Sequence, residues 1–328
     1  MIKRRSLVIA SGAVLAATAG WSGHAQAQDS WPSKPMRFVS AGAPGGGSDI
    51  FVRLIEARLR EQLGQPLWID NRPGAGGMLG AENVVRSAPD GYNFFISNAA
   101  TNGVGPSLYR RLAFDPVKDL AGVSRMSLLG NVLIVKRDRG IATVAELVAF
   151  MRANPREATF SSAGVGTSSH LSGVMFAQRT GTEPVHVPYR GTAPSMSAVL
   201  SGETLFAIDN APVSAEHVKA GTLHALAVTT RRRIPLLPEV PTMEEAGLDG
   251  FEVVSWYGIS APLATPKPIL EKLSAAIRVA LSDPAVAERF AAMGAEPAPL
   301  TPEEYDAFIR AEAAKWAPLV AASGAKVE

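Results

Sequence analysis

Cysteine is absent from the 328-residue sequence. Its absence excludes disulfides, thiolate nucleophiles and cysteine-ligated metal sites. The chain has five histidines, but they form neither a His-Glu-x-x-His motif nor a tight ligand cluster. We therefore predict no metal and no cofactor. Stability must come from packing, and a chain of this length with 47% hydrophobic residues is long enough to bury one or two cores.

The sequence also lacks a large excess of charge of either sign. The formal net charge of the whole chain is +2, and it becomes −1 without residues 1–27, which contain three basic and no acidic residues. No long basic stripe is available to cover a phosphate backbone. We interpret the short run Arg231-Arg232-Arg233 as a solvated loop. Binding to nucleic acid is therefore not predicted.

The amino-terminal segment has the pattern of a secretory signal peptide. Basic residues at positions 3–5 precede an apolar segment at 7–19, and an Ala-x-Ala cleavage site follows at 25–27. The apolar segment is shorter than a membrane-spanning helix requires. We expect residues 1–27 to be removed by cleavage after Ala27. The rest of the chain is expected to reach the periplasm, by either the general secretory or the twin-arginine route.

Apolar strand-like segments alternate with helical ones in the rest of the chain, which predicts an α/β protein with largely parallel sheets. Two of the strand-to-helix junctions are loops of small residues, at 42–49 and 162–169. In the second loop, Ser168 or Ser169 is the expected helix N-cap. Loop glycines let the backbone approach a ligand, and a helix start offers unpaired N–H groups to an anion. We therefore predict two lobes whose electropositive helix ends point at a shared cleft.

A dinucleotide site is the first alternative for the glycine-rich loop. Asp70 follows Gly47 at about the distance expected of a ribose-binding acid. However, G-x-G-x-x-G fails in every register, because Ile50 stands where a third glycine is required after Gly45 and Gly47. The sequence also contains no G-x-x-x-x-G-K-[ST] motif. These departures, together with the exported compartment, disfavour nucleotide binding.

A secreted hydrolase is the second alternative, since Ser161, Ser162, His170 and Asp209 could be combined into a triad. The sequence has no G-x-S-x-G elbow, and the serines lie near the histidine only because they share one loop and helix start. We interpret His170 as a helix-start residue whose ring packs or forms hydrogen bonds locally. No catalytic residue is therefore predicted.

Seven segments between positions 31 and 328 form a specific combination. They are WPSKPMRFVSAGAPGGGSD, NRPGAGGMLGAENVVRSAPDGY, LYRRLAFDPVKDLAGVS, SSAGVGTSSHL, HVPYRGTAPSM, HVKAGTLHALAVTTRRRIPLLPEVPTMEEAGL and WYGISAPLATPKPILEKL. In this order they resemble the extracytoplasmic solute receptors of tripartite tricarboxylate transporters, also called Bug proteins. The resemblance implies a type II periplasmic-binding-protein fold, in which two α/β lobes close on a small organic carboxylate. It also implies a receptor without catalysis that delivers its ligand to a membrane permease.

The same resemblance implies a division of the chain into lobes. A signal peptide (1–27) precedes the first part of lobe 1 (28–127), which is followed by lobe 2 (128–252) and the second part of lobe 1 (253–328). A monomer is expected. A sensor role, in which the loaded receptor is presented to a membrane histidine kinase, stays open as an alternative to transport.

The resemblance also implies which residues form the site, where backbone groups of the two loops hold one ligand carboxylate, partly through ordered waters. The first-lobe residues are Ala43, Pro44, Gly45, Gly46, Gly47, Ser48, Asp49 and Thr101. The second-lobe residues are Ser162, Ala163, Gly164, Val165, Gly166, Thr167, Ser168, His170, Tyr189, Gly191, Thr192 and Asp209. Neither loop contains Lys or Arg, so N–H groups and helix dipoles must meet the anion.

Three features leave the details of this site open. Asp49 is either an N-terminal helix residue favoured by the dipole or a ligand contact. Asp209 either receives the ammonium group of an amino-acid ligand or caps a turn. The family often has the pattern Thr-His-x-x-Asn-Pro-x-Leu-Tyr, but this chain has Asn102 in place of the His and Gly105 in place of the Asn. The specificity of well-known relatives is therefore not carried over.

Overall fold

The computed structural model describes residues 31–42, 44–45, 47–189 and 191–327. The predicted signal peptide, Ala43 and Gly46 lie outside the described residues. The strands are β1 (Met36–Ser40), β2 (Leu67–Asn71), β3 (Asn93–Asn98), β4 (Leu120–Lys136), β5 (Thr159–Ser162), β6 (Val185–Pro188), β7 (Phe206–Asn210), β8 (Leu223–Val228), β9 (Val254–Pro262) and β10 (Ala295–Pro297). The α-helices are α1 (Gly47–Leu63), α2 (Met78–Val85), α3 (Gly105–Leu108), α4 (Val144–Ala153), α5 (Ser168–Thr180), α6 (Thr192–Ser201), α7 (Ala211–Lys219), α8 (Lys267–Leu281), α9 (Pro284–Ala292) and α10 (Pro302–Ser323).

One long strand, β4, joins the two halves of the molecule. The strand order is β2-β1-β3-β9-β4-β7-β5-β6, and β8 and β10 also pair with β4. Residues 120–130 of β4 pair with β9, whereas residues 131–135 pair with β7. We call the part built on β1–β3, β9, β10 and the start of β4 the first half. The second half is built on β5–β8 and the end of β4.

Parallel pairing dominates away from this crossing strand. In the first half, β1 pairs parallel with both β2 and β3, and in the second half β5 pairs parallel with both β6 and β7. Each parallel pair needs a helical crossover, and α1, α2, α5 and α6 follow β1, β2, β5 and β6 in turn. The predicted α/β architecture is confirmed, but the expectation of largely parallel sheets is wrong, because β4 pairs antiparallel with β7, β8, β9 and β10, and β3 pairs antiparallel with β9.

Capping side chains set several of the helix boundaries. Thr301 begins α10 with a complete capping box, because its side chain accepts from the Glu304 N–H while the Glu304 carboxylate accepts from the Thr301 N–H. Asp283 caps α9 by accepting from two backbone N–H groups. At α5 the N-cap is Thr167, whose hydroxyl accepts from the His170 N–H. The expectation of Ser168 or Ser169 as the N-cap is wrong by one or two positions.

Each half has its own apolar core. In the first, Phe51 and Ile55 of α1 pack with Leu273 of α8 against the sheet. In the second, α5 packs beside Phe206 of β7, and Trp316 of α10 belongs to the same cluster. The last helix therefore contacts both halves, since it also packs along β4. The predicted lobe boundaries themselves stay a prediction.

Candidate functional site

A small cavity of about 170 Å³ lies between the two halves. The first half contributes residues at the end of β3, the second half contributes the start of α5 and the end of β7, and β9 and α10 complete the wall. The lining residues are Asn98, Ala99, Ala100, Val104, Ala163, Thr167, Ser168, Ser169, Asn210, Ser255, Tyr257 and Trp316. We call this cavity the cleft. Of the predicted site residues, Ala163, Thr167 and Ser168 line it.

The second small-residue loop is held by hydrogen bonds within itself. The Ala163 N–H donates to Ser169 Oγ over 2.9 Å, and the Thr167 hydroxyl donates to the Gly164 carbonyl over 2.7 Å. Gly164 and Gly166 have φ angles of 134° and 79°, a region that favours glycine. This fixed loop places Ser168, the first residue of α5, on the cleft wall, where the N–H groups of the first helical turn have no partner within the helix.

The first small-residue loop leads into α1, whose start lies beside the cleft. A β-carbon added at Gly47 would be 2.5 Å from the Tyr257 hydroxyl, and Tyr257 is a cleft residue. The glycine therefore lets the tyrosine ring lie against the helix start. Ser48 is buried and its Oγ lies 2.8 Å from Ser40 Oγ, so its side chain is occupied within the first half.

Asp49 uses its carboxylate to organise this loop. Oδ2 accepts from the Gly45 N–H over 3.0 Å, and both carboxylate oxygens accept from the Arg53 guanidinium at 2.9 and 3.0 Å. The Arg53 guanidinium and the Gly45 N–H hold the pKa of Asp49 below its ordinary value. Asp49 therefore acts as an N-terminal helix residue that stabilises the loop. Its carboxylate oxygens are occupied by Gly45 and Arg53.

Two stacked histidines support the second loop from behind. The rings of His170 and His186 are 4.0 Å apart, and they line a different cavity from the cleft, next to Phe160. The Gly166 N–H donates to His170 Nδ1 over 3.2 Å, and His186 Nε2 lies 2.7 Å from Ser162 Oγ. Burial, with the adjacent His186 ring, lowers the pKa of His170 to about 4, and burial also lowers the pKa of His186 to about 4. Both rings are therefore neutral at pH 7.

The imagined hydrolase triad is not assembled. Ser161 Oγ donates to the Ser195 carbonyl over 3.0 Å, and Ser162 contacts His186 instead of His170. Asp209 accepts from the Asn210 N–H and the Thr192 hydroxyl, at 2.7 and 3.2 Å. The chain does not bring these side chains into a serine-histidine-aspartate relay.

Asp209 lies directly behind the cleft wall. Its side chain is 1% exposed, and Oδ2 has no hydrogen-bond partner among the described residues. Burial raises the pKa of Asp209 to about 6. Its hydrogen bond to Thr192 fixes the start of α6, and the Gly191 N–H donates to the Ala163 carbonyl over 3.1 Å. Asp209, Thr192 and Gly191 therefore stabilise the second loop.

Five further predicted residues do not line the cleft. Thr101 is fully buried and its hydroxyl donates to the Gly76 carbonyl over 3.0 Å. The Tyr189 hydroxyl donates to the Glu203 carboxylate over 2.7 Å in an exposed position. Val165 is 49% exposed, and Pro44 and Gly45 do not line the cleft.

The departure from the family pattern at Asn102 is also an internal feature. Asn102 is fully buried, and its amide donates to the Pro116 carbonyl over 2.8 Å. Its neighbours Ala99 and Ala100 line the cleft in its place. At Gly105, an added β-carbon would overlap the end of Met78, so close packing in the first half accounts for glycine there.

Sequence reasoning missed the residues that come from distant parts of the chain. Tyr257 and Ser255 belong to β9, Trp316 to α10 and Asn98 to the end of β3. Trp316 is held by a hydrogen bond from its Nε1 to Glu312 Oε2 over 3.0 Å. One of these residues, Asn98, could have been found from the sequence, because asparagine at the end of a strand is typical of a helix N-cap. In the structure its side chain accepts from the Thr101 N–H at the start of the next helical turn.

The described lining of the cleft can bind an anion through neutral hydrogen-bond donors. None of the described residues that line it is Lys or Arg. Its polar groups are hydroxyls, two asparagine amides and the start of α5, whose dipole favours negative charge. Among the described residues, no group of three or more His, Cys, Asp and Glu could hold a metal ion, and no helix there is long and apolar enough to cross a membrane.

The sequence is similar to a known protein family and to known relatives. Residues 51–325 match the model of the family described as tripartite tricarboxylate transporter family receptor. The chain is 34% identical to BugT of Bordetella pertussis, over 96% of this chain and 97% of that protein.

Two solved structures from Rhodopseudomonas palustris are also similar. Rpa4515 with adipate is 34% identical with a TM-score of 0.79, and the match covers 90% of this chain and 100% of that one. MatC with bound malate is 30% identical with a TM-score of 0.74, and the match covers 88% of this chain and 100% of that one.

Proposed function

Because this chain belongs to the tripartite tricarboxylate transporter family of receptors, we propose that it captures a small organic carboxylate in the cleft and delivers it to a membrane permease. The family consists of solute-binding receptors, so the predicted resemblance and the prediction that the chain is not an enzyme are confirmed. The periplasmic-binding-protein fold is confirmed by the similar solved structures. The hydrolase alternative is wrong.

The observation that carries the carboxylate proposal is the construction of the cleft. Its wall combines the start of α5 from the second half with residues 98–100 from the first, and Lys and Arg are absent from the described lining. A carboxylate bound there is met by main-chain N–H groups and hydroxyls, which are strong partners for a negative oxygen. Two relatives of the same fold were solved with adipate and with malate, and both are dicarboxylates.

We propose that the N–H groups of Ser168 and Ser169 and the hydroxyl of Ser168 are presented to one carboxylate, since the Ser169 hydroxyl is already engaged by Ala163 and Thr167. The start of α1, next to Tyr257, is the corresponding group of the first half. Asp49 and Asp209 act indirectly in this arrangement, since each accepts hydrogen bonds from the loop or helix start beside it. Closure of the halves around the ligand is the change that a permease would recognise.

Family membership supports a proposal for the location and the partners. We propose that residues 1–27 direct export, that cleavage follows Ala27 and that the mature receptor acts as a monomer in the periplasm. Delivery to a permease is the primary role. Presentation to a sensor kinase stays a prediction.

The experiment is a titration of the purified mature chain with adipate and malate, followed by thermal unfolding and calorimetry. A ligand at 100 times its dissociation constant adds about 2.7 kcal/mol to the free energy of unfolding. Ser168→Asp is the test variant, because an acidic residue is favourable in the first turn of a helix but repels a bound carboxylate. Ala285→Asp, at an exposed position in the first turn of α9, is the matched control.

We expect saturable stabilisation of the native chain and of the Ala285→Asp variant by at least one dicarboxylate. The Ser168→Asp variant should fold with an unchanged melting temperature and lose the ligand-dependent shift. Equal affinity in Ser168→Asp and the native chain would remove the start of α5 from the site. Failure of a whole panel of mono-, di- and tricarboxylates to stabilise the native chain would contradict the proposed ligand class.

A further inference from the structure

A larger cavity of about 550 Å³ lies on the opposite side of the crossing strands from the cleft. Val254 of β9 lines this cavity, whereas Ser255 and Tyr257 line the cleft. Successive residues of a strand point to opposite faces, so β9 separates the two cavities. We call the larger one the rear cavity.

Charged side chains from both halves line the rear cavity. They are Arg125, Arg179, Arg231, Lys315, Glu252 and Glu312. Arg125 belongs to the first-half section of β4, and Arg179 to the last turn of α5 in the second half. Four basic and two acidic side chains leave an excess of two positive charges. The cavity is therefore an electropositive space that spans the junction between the halves.

The two carboxylates are already paired. Glu252 accepts from Arg231 Nε over 2.8 Å. Glu312 accepts from Lys315 Nζ over 2.9 Å and also from the Nε1 groups of Trp256 and Trp316. Neither carboxylate is left to neutralise the remaining two arginines.

Within the part of the chain that the structure describes, Arg125 and Arg179 donate hydrogen bonds to backbone carbonyls alone. Arg125 Nε donates to the Ala298 carbonyl over 2.9 Å, and Arg179 Nη1 donates to the Asp249 carbonyl over 3.0 Å. Among the described residues, no carboxylate forms an ion pair with either. A guanidinium has five N–H donors, so most of the donors of both arginines remain for another acceptor.

Arg125 is partly buried against an aromatic ring. Its guanidinium lies 4.6 Å from the centre of the Phe308 ring, and burial lowers the pKa of Arg125 below its ordinary value. Carboxylates lie near it but beyond contact, at Glu252, Glu296 and Glu312. A partly buried guanidinium is stabilised when an anion meets it directly.

We propose that the rear cavity is a second anion-binding site, which takes a small anion with two negative charges, such as phosphate, between Arg125 and Arg179. The anion would contact one arginine from each half, so its affinity depends on how far the halves are closed. By reciprocal linkage, it alters the affinity of the cleft for its ligand. Lys315, Glu312 and Trp316 form the contact path from this cavity to the cleft.

The probe is inorganic phosphate, titrated into the mature chain at pH 7 with sodium chloride adjusted to hold the ionic strength constant. Isothermal calorimetry measures the binding. The main variant is Arg179→Gln, whose side chain is exposed and whose removal leaves the core untouched. Arg60→Gln is the matched control, because Arg60 is likewise an exposed basic residue in the last turn of a helix. Arg125→Gln is tested in addition, with its melting temperature recorded.

We expect saturable phosphate binding that is at least tenfold weaker in Arg179→Gln, a loss of about 1.4 kcal/mol, and unchanged in Arg60→Gln. The cleft-blocking variant Ser168→Asp separates this result from the carboxylate proposal, since it should bind phosphate normally. Phosphate binding that is lost in Ser168→Asp would assign the anion to the cleft and overturn the proposal. Absence of saturable binding, or equal binding by Arg179→Gln and the native chain, would overturn it as well.

Discussion

Removal of the Glu312 carboxylate should destabilise the junction between the two halves. The residue is 5% exposed, and one oxygen accepts from the indole N–H groups of Trp256 and Trp316 at 3.1 and 3.0 Å. Glu312→Ala leaves both N–H groups buried without their acceptor. Each such group costs roughly 1–3 kcal/mol, so we expect the free energy of unfolding to fall by about 2–6 kcal/mol.

Two companion variants separate the indole hydrogen bonds from other effects. Glu312→Gln keeps a carbonyl oxygen for the indoles, but it removes the charge assistance of those hydrogen bonds and the charge pair with Lys315, whose side chain is 28% exposed. A partly exposed pair is worth about 1 kcal/mol or less. Glu288→Ala, at an exposed position on α9, should change stability by no more than about 0.5 kcal/mol.

The assay is urea unfolding of the three variants and the native chain, followed by far-ultraviolet circular dichroism. The indole environment is followed in parallel by tryptophan fluorescence. The expected order of unfolding midpoints is native, Glu288→Ala, Glu312→Gln and then Glu312→Ala. A midpoint for Glu312→Ala within error of the control, or equal losses for Ala and Gln at this position, would refute the assignment of the stabilisation to the indole hydrogen bonds.

Two other predictions concern the second loop. The pKa of His170 is about 4 in the folded chain and about 6.5 when unfolded, so the unfolded state binds more protons and stability should fall as the pH drops from 6.5 to 4, by on the order of 3 kcal/mol. Urea unfolding across this range should give a flatter profile for His170→Gln, and identical profiles would contradict the reasoning. At Gly166, φ is +79° and an added β-carbon would lie 2.5 Å from Leu108 Cδ2, so Gly166→Ala should cost about 1–3 kcal/mol. Gly181→Ala, at φ +60° with open space around it, isolates backbone strain, and an equal loss there would show that the contact with Leu108 is unimportant.

Local sequence chemistry predicted much of the secondary structure because caps act over one helical turn. The pattern Thr301-x-x-Glu304 is typical of a capping box and Asp283-Pro284 of a helix start, and both begin helices. The α5 N-cap was misplaced because Thr167, Ser168 and Ser169 are all good capping residues. The Gly164 carbonyl, which accepts from the Thr167 hydroxyl, selects among them, and only the folded loop brings it there.

The site was predictable only where it is local in sequence. Ala163, Thr167 and Ser168 belong to one loop, and a strand-to-helix junction of small residues marks such a loop. Tyr257 and Trp316 line the same cleft but belong to a strand and a helix whose apolar periodicity indicates only burial. Long-range pairing decides which face of each element reaches the cleft.

The position of β9 in the sheet makes the first half discontinuous in sequence. This strand lies between β3 and β4, yet residues 254–262 follow the whole of the second half in the chain. A fragment that stopped before Val254 would expose two bare strand edges in the middle of its first sheet, and such edges invite aggregation. The first half therefore cannot be excised as one continuous segment, and the chain must extend through β9 before its first sheet can close.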